Sequence, residues 1–306
     1  MPSGKRKRFI SVQAQQHLDW KIDNYNTHEH IMDNTNCGPT ITVIGTCRVH
    51  HPLRNLEERG LIKLNNGGLA SFVHSTPEAL LRLKVLLGVE AYNPDLIKLQ
   101  VGESKDLALT ADADFNFSES DLLIIEVSTI KAVSVDGSPL QFNEVNRHLC
   151  TPFGDYGKAL RKNLNHAFNN RQGSVAPPDM ESPKDMPPGH LNIIKKLHPV
   201  VMDNNLISAD LDEIRKIAKI PVLLVNHINL PGKDGNLITS RNKLCNIVND
   251  YAKSKSLEIF NPSTMFETHL PEILLMKNGE DLNHYAKDQL NTVGDIQFKK
   301  IMTALR

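Results

Sequence analysis

TITVIGTCRVHHPL, residues 40 to 53, is the stretch that decides how this chain is read. A β-branched run reaches Gly45, Thr46 and Cys47 follow, and the chain then turns polar with His50 and His51 close behind. Such a run suits a buried strand. A strand that breaks at Gly-Thr-Cys leaves the cysteine at the C-terminal edge of a sheet, at the start of the next element. That edge is open to solvent, and amide N–H groups converge on it, so nucleophiles of α/β folds gather there. Two readings of Cys47 fit the segment. It is a catalytic thiol, or it is a small hydrophobe packed after a strand.

Helical and buried-strand patterns alternate on the C-terminal side. PEALLRLKVLLG, 77–88, has helical spacing, a proline at its start and a glycine at its end, with Ser75 and Glu78 spaced as a capping box. DLLIIEVST, 121–129, reads as a central parallel strand interrupted by Glu126. The amphipathic helix ADLDEIRKIAK, 209–219, runs into a buried strand, IPVLLVNHINL, 220–230. A helix follows over 240–254 with Ser240 as its cap, then a strand in SLEIFNP, 256–262, and a closing helical segment over 285–305. This alternation belongs to a parallel sheet covered on both faces. The expected fold class is α/β, a three-layer α/β/α sandwich with a mainly parallel sheet.

The alternation fails between Lys131 and about Pro199. VAPPDMESPKDMPPGH, 175–190, suits neither a strand nor a helix interior, because proline removes amide donors and restricts its neighbours. The expected organisation is a polar N-terminal arm, 1–36, and an α/β domain, 37–306, with an insertion at about 131–199. That insertion reads equally as a lid, a binding wall or a passive surface excursion.

The 306 residues are 40% hydrophobic and 23% charged, ordinary for a soluble globular protein with a sizeable core. Thirty-five basic residues balance 35 acidic ones, so no global field steers nucleic acid or acidic substrates. The cluster KRKR, 5–8, has no apolar stretch behind it and does not read as a signal peptide. No apolar run approaches a membrane span. Cys37, Cys47, Cys150 and Cys245 form no CxxC, so a reducing, cytoplasmic location is the expectation. No nucleic-acid module or phosphate loop is present, and nothing fixes the oligomeric state.

A second chemical signal lies in GEDLNHYAKDQLNTVGDIQFKKI, 279–301. Asp281 and His284 are three residues apart, which in a loop or first helical turn sets the carboxylate against one imidazole nitrogen. The other nitrogen is then free, the arrangement of a base and its orienter. A capping aspartate beside an unrelated surface histidine fits the same spacing. In a parallel sheet, Cys47 after the first strand and Asp281–His284 after the last share one edge.

With these blocks in place the chain resembles the SGNH (GDSL-type) hydrolase superfamily. Its first block, a strand followed by Gly-Asp-Ser, falls on Gly45-Thr46-Cys47. Its Asp-x-x-His block, with an apolar residue and a later glycine, falls on Asp281, His284, Tyr285 and Gly294. The resemblance spans about 40–305 in order of elements and is motif-level only at the two ends. Cysteine replaces serine and Thr46 replaces the aspartate. The superfamily's oxyanion-hole glycine maps to Gly67 or Gly68, and its asparagine block is missing where Val127-Ser128-Thr129 stands, leaving Ser128 as a substitute donor. A cysteine nucleophile is similar to the branch that includes capsular-polysaccharide acetyltransferases. The resemblance therefore implies an acyl hydrolase or acyltransferase acting on a small-molecule or carbohydrate ester or thioester. It makes coenzyme A a candidate acyl donor, with no other cofactor. His284 takes the thiol proton and Asp281 fixes the imidazole tautomer.

Other residues carry paired readings. Arg48 holds an anionic group or lowers the thiol pKa, or it anchors the next element by a salt bridge. His74 and His227 line the cleft or are structural. Glu126, inside an apolar strand, needs a cationic partner, and Arg48 or Arg241 can supply it. His50, His51, His74, His227, His284, Asp281 and Cys47 leave a metal-dependent hydrolase open, although no HExxH or paired cysteines support it. A non-catalytic carbohydrate- or protein-binding module on a degenerate scaffold is the remaining alternative.

Overall fold

The computed structural model describes residues 38–65, 72–102, 116–232 and 235–306. The N-terminal arm, including KRKR and Cys37, and the glycines Gly67 and Gly68 lie outside the described residues. Residues from Pro39 to Arg306 form one compact unit.

Five strands make the main sheet: β1 (Thr40–Ile44), β2 (Lys63–Leu64), β3 (Leu122–Glu126), β7 (Val222–Val225) and β8 (Ile259–Phe260), in the order β2-β1-β3-β7-β8. Every pairing is parallel. Numbered within the sheet this is 2-1-3-4-5, the doubly wound order of flavodoxin-like folds, which binds ligands beyond the carboxyl ends of its strands. The expected sandwich is therefore the observed architecture. The edge strand β2 has only two residues and no periodic signal, and the sequence reading missed it.

Alternate residues of the central strands face opposite ways. Ile44, Leu123, Ile125, Val222 and Leu224 enter one core with α2 (Thr76–Leu86), α7 (Asn204–Ala218) and α8 (Thr239–Ser254). Ile41, Val43, Leu122, Ile124, Leu223 and Val225 enter the other with α1 (Cys47–Glu58) and α10 (Leu290–Ala304). Burial on both faces explains why these strands read as continuous apolar runs. α10 closes on α1 at Gly294, where an added Cβ would stand 3.1 Å from the Pro52 carbonyl oxygen.

Boundaries differ from expectation in instructive ways. The strand expected over 220–230 ends at Val225; beyond it the side chains of Asn226, His227 and Asn229 bond to Asn249, the Ile228 carbonyl and Asn242. The helix expected at 209 starts at Asn204, where Asp203 caps it by accepting from the Leu206 amide at 3.0 Å. Ser240 is not a cap; α8 begins at Thr239 with Ile238 at the N-cap. Ser75 is the N-cap of α2, yet its hydroxyl donates to Glu78 Oε1 at 2.7 Å instead of accepting from the helix.

Residues from 131 onward build a second, antiparallel sheet of β4 (Lys131–Val135), β5 (Ser138–Leu140) and β6 (Leu197–Val201), in the order β5-β4-β6. Asp136 and Gly137, both at positive φ, turn the β4–β5 hairpin. α3 (Ile97–Val101), α4 (Phe142–Val145), α5 (Gly154–Asn170) and α6 (Pro188–Lys196) accompany it, and the layer has its own core of Leu140, Leu149, Leu160, Leu164, Phe168 and Ile194. The proline-rich stretch is irregular as far as Pro187, and Pro188 then opens α6, the helical position proline tolerates best. A short helix, α9 (Pro271–Leu274), follows β8.

Candidate functional site at the carboxyl edge of the sheet

The strand register sets the site. Ile44, Ile125, Leu224 and Ile259 stand in one row across β1, β3, β7 and β8. Cys47, Ser128 and His227 each lie three residues beyond that row on neighbouring strands. The sequence reading placed all three at the same edge, and the backbone does bring them there.

Cys47 is the first residue of α1, half-buried, with Thr46 as N-cap. The turn from β1 is tight. A Cβ at Gly45 would sit 2.7 Å from both Glu126 Cβ and Val49 Cγ1, so only glycine lets α1 pass this close to β3. Glu126 is fully buried and organises the turn. Its Oε2 accepts from the Thr46 amide at 2.7 Å and the Thr46 hydroxyl at 2.5 Å, while its Oε1 accepts from Arg48 Nε at 2.7 Å. Arg48 is thus the partner that Glu126 requires, and it makes the anchoring salt bridge.

Burial pushes the Cys47 thiol above its ordinary pKa; Arg48 opposes this, Glu126 adds to it, and the Cys47 and Arg48 amides also oppose it. The resting group is a thiol, and an attack at neutral pH needs a base to remove its proton. Cys150 and Cys245 are buried, with thiols pushed up chiefly by desolvation, Cys150 to about 11.

Asp281 and His284 sit in a loop, not a helix. His284 Nδ1 is 3.0 Å from Asp281 Oδ2, and the Asn283 amide donates to Asp281 Oδ1 at 2.9 Å. The carboxylate and the imidazole are thus in direct contact within the loop. Asp281 is held below its usual range: burial raises it, but His284 and the Asn283 amide outweigh that. An antiparallel bridge between Leu275 and Tyr285 pins the loop, with the Met276 amide donating to the His284 carbonyl at 3.0 Å. Two arginines hold it from other elements. Arg48 Nη1 reaches the Asn283 carbonyl at 3.5 Å, so the residue after Cys47 touches the residue before His284. Arg241 donates from Nη1 to the carbonyls of Ile228 and Leu282 at 3.0 and 3.2 Å, and from Nη2 to Asn283 Oδ1 at 2.9 Å.

His227 is buried, and desolvation first, then Arg48 and Arg241, push its pKa down to about 2. It is neutral, and its Nδ1 lies 2.8 Å from the Ile228 carbonyl, to which it donates. His74 is partly exposed; its Nε2 accepts from Asn143 Nδ2 at 3.2 Å. The Ser128 amide and hydroxyl both donate to the His74 carbonyl, at 2.8 and 3.3 Å, so that hydroxyl proton is engaged in the resting state. His50 is a core residue, buried beside Phe72 and pushed down to about 4 mainly by desolvation. His51 is exposed, at the surface of α1. Among the described residues, no group of three or more His, Cys, Asp or Glu side chains could hold a metal ion, and no helix is long and apolar enough to cross a membrane.

Sequence reasoning named Arg241 only as a candidate partner for Glu126, a role that Arg48 fills. Its tie to the His284 loop is a contact across 41 and 42 residues that no local pattern announces. A cavity of about 110 Å³ beside it is lined by Ser128, Thr129, Ile130, His227, Ile238, Ser240 and Arg241.

The chain belongs to the TviD N-terminal domain family, whose pattern it matches over residues 39–300. It is 27% identical over 252 residues to the Vi polysaccharide biosynthesis protein TviD of Salmonella typhi, a match covering 80% of this chain and 29% of that protein. The chain thus spans under a third of that relative's length. Among solved structures it is similar to the psychrotrophic esterase EstA of Pseudoalteromonas sp. (14% identity, 87% of this chain and 98% of that one, TM-score 0.39). It is also similar to a GDSL-like lipase of Bacteroides thetaiotaomicron (10% identity, 94% and 96%, TM-score 0.37). A third is a catalytic mutant of Axe2, an acetylxylan esterase from Geobacillus stearothermophilus (8% identity, 88% and 95%, TM-score 0.39).

Proposed function

We propose that this domain transfers or hydrolyses acyl groups on a carbohydrate ester through Cys47, with His284 as base and Asp281 as its orienter. The observation that carries the reading is the Asp281–His284 pair at 3.0 Å, in a loop tied by Arg48 to the turn that bears Cys47. The raised thiol pKa gives the base its task. His284 takes the Cys47 proton as sulfur attacks the ester or thioester carbonyl, and the imidazolium formed is stabilised by Asp281. The Cys47 amide, at the start of α1, receives the developing oxyanion; such a donor contributes roughly 3 kcal/mol. His284 then returns the proton to the departing oxygen or sulfur. A sugar hydroxyl next takes the acyl group, or water does, with His284 again as base. The relative's role in polysaccharide biosynthesis favours the sugar hydroxyl as acceptor. Coenzyme A is one thioester donor to test.

The test is intact-mass analysis after incubation with activated acetyl esters and with acetyl-coenzyme A. A single acetyl adduct on Cys47 is expected. C47A removes it, and H284A slows its formation by roughly 10²-fold or more. Labelling that survives C47A at the same rate refutes the thiol mechanism and leaves a binding module on a hydrolase-like scaffold. Loss of the adduct accelerated by a sugar acceptor marks a transferase; decay set by water marks a hydrolase.

A further inference from the structure

We infer that the cavity beside Arg241 is a subsite for a small oxyanion carried by the substrate, a sugar carboxylate or a phosphate, with Arg241 as the residue that recognises it. The inference rests on the acyl-transfer reading for the identity of the molecule, but not for the existence of the subsite.

Two guanidinium groups, Arg48 and Arg241, stand near each other at this edge, close enough that Arg48 helps depress Arg241. One carboxylate, Glu126, accompanies them, and it is consumed by Arg48 and Thr46. Arg241 is half-buried, and its hydrogen-bond partners are the Ile228 and Leu282 carbonyls and the Asn283 side-chain oxygen, all neutral. Among the described residues no carboxylate pairs with it. His227 cannot compensate, because it is neutral and can only gain positive charge. A desolvated cation without a counter-charge is unfavourable, and an anion bound beside it relieves that cost.

The cavity next to this charge has the right chemistry and size. Its walls offer the hydroxyl-bearing residues Ser128, Thr129 and Ser240 with Arg241 and His227. Its volume of about 110 Å³ leaves room for a carboxylate or phosphate group. The Arg241 guanidinium and the Thr129 and Ser240 hydroxyls are donors that small oxyanions select, whereas the neutral His227 imidazole spends its one proton on the Ile228 carbonyl. Position agrees as well. Ser128 and His227 leave the sheet level with Cys47, and Arg241 also grips the loop that holds His284. An anion seated here therefore anchors a substrate by a group other than its reacting ester, and does so against the residue that fixes the base loop.

Calorimetric titration of the full chain with glucuronate, glucose and inorganic phosphate tests this, with C47A titrated in parallel. Glucuronate or phosphate should bind, glucose should bind at least 10-fold more weakly, and C47A should bind like the unmodified chain. Loss of one charge-assisted contact in R241Q should weaken the anion roughly 10-fold or more. R241K, which keeps charge without the planar fork, should fall between. Because R241Q also loosens the 281–284 loop, S240A serves as the second variant, with the guanidinium intact and a several-fold weakening expected. The tighter of the two anions identifies the source of the oxyanion. Anion affinity unchanged in R241Q and S240A, glucose bound as well as glucuronate, or no anion bound at all overturns the inference. If acyl adducts never form while Arg241-dependent anion binding persists, the acyl-transfer reading falls and the subsite stands.

Discussion

Glu126→Gln should cost this protein far more than an isosteric change of one side chain suggests. The carboxylate is fully buried and receives three hydrogen bonds, from the Thr46 amide and hydroxyl and from Arg48 Nε, all between 2.5 and 2.7 Å. Glutamine keeps one oxygen for Thr46 but turns an NH2 group toward Arg48, donor against donor, and leaves that guanidinium without a counter-charge. Breaking a buried pair from one side costs about 3–5 kcal/mol. For a unit of this size that corresponds to a fall in Tm of about 10 °C. Urea unfolding of E126Q, R48M and the double variant completes a cycle, and a coupling of at least about 2 kcal/mol is expected. The same substitution has an opposite effect on chemistry. Glu126 raises the Cys47 pKa, so its neutralisation should move the pH midpoint of Cys47 alkylation downward in the folded protein. Stability falls while thiol acidity rises, a combination that general loosening does not produce. Stability of E126Q within about 0.5 kcal/mol of the parent, or a coupling near zero, refutes the account of this turn.

Acidification should destabilise the fold through its buried neutral histidines. His227 and His50 have folded values of about 2 and about 4, below the ordinary 6.5, so between those limits the unfolded chain binds the extra protons. Their contribution is complete above about pH 6.5 and declines as pH falls; with both acting, the slope reaches about 2.7 kcal/mol per pH unit between roughly pH 4 and 6. Urea midpoints across that window measure it, and H227Q should halve the slope. Gly45→Ala should destabilise by about 1–3 kcal/mol, since its Cβ would meet backbone-proximal atoms of Glu126 and Val49 at 2.7 Å; an unchanged melting curve refutes the close approach of α1 to β3.

The doubly wound sheet was legible from the chain alone, because β1, β3 and β7 are buried on both faces and read as short apolar runs, and because helices with regular spacing separate them. The edge strand β2 and the second sheet were not. β2 is two residues long, and β4 to β6 are short, partly buried strands whose pairing joins residues near 131 to residues near 200. The Asp136-Gly137 turn was the one local signal for that hairpin. Sequence order put Cys47, Ser128, His227 and the Asp281–His284 pair at one edge of the sheet, because every parallel strand must deliver its carboxyl end to the same side. It also required a cationic partner for Glu126. Which arginine fills that role, and which one is left with a charge and a cavity beside it, depended on contacts spanning 78 residues for Arg48–Glu126 and 41 for Arg241–Leu282. Local patterns report the period of an element and the direction in which it ends. Side-chain partners drawn from different elements are chosen only when packing brings those ends together, and charge balance at the edge is therefore a property of the tertiary structure.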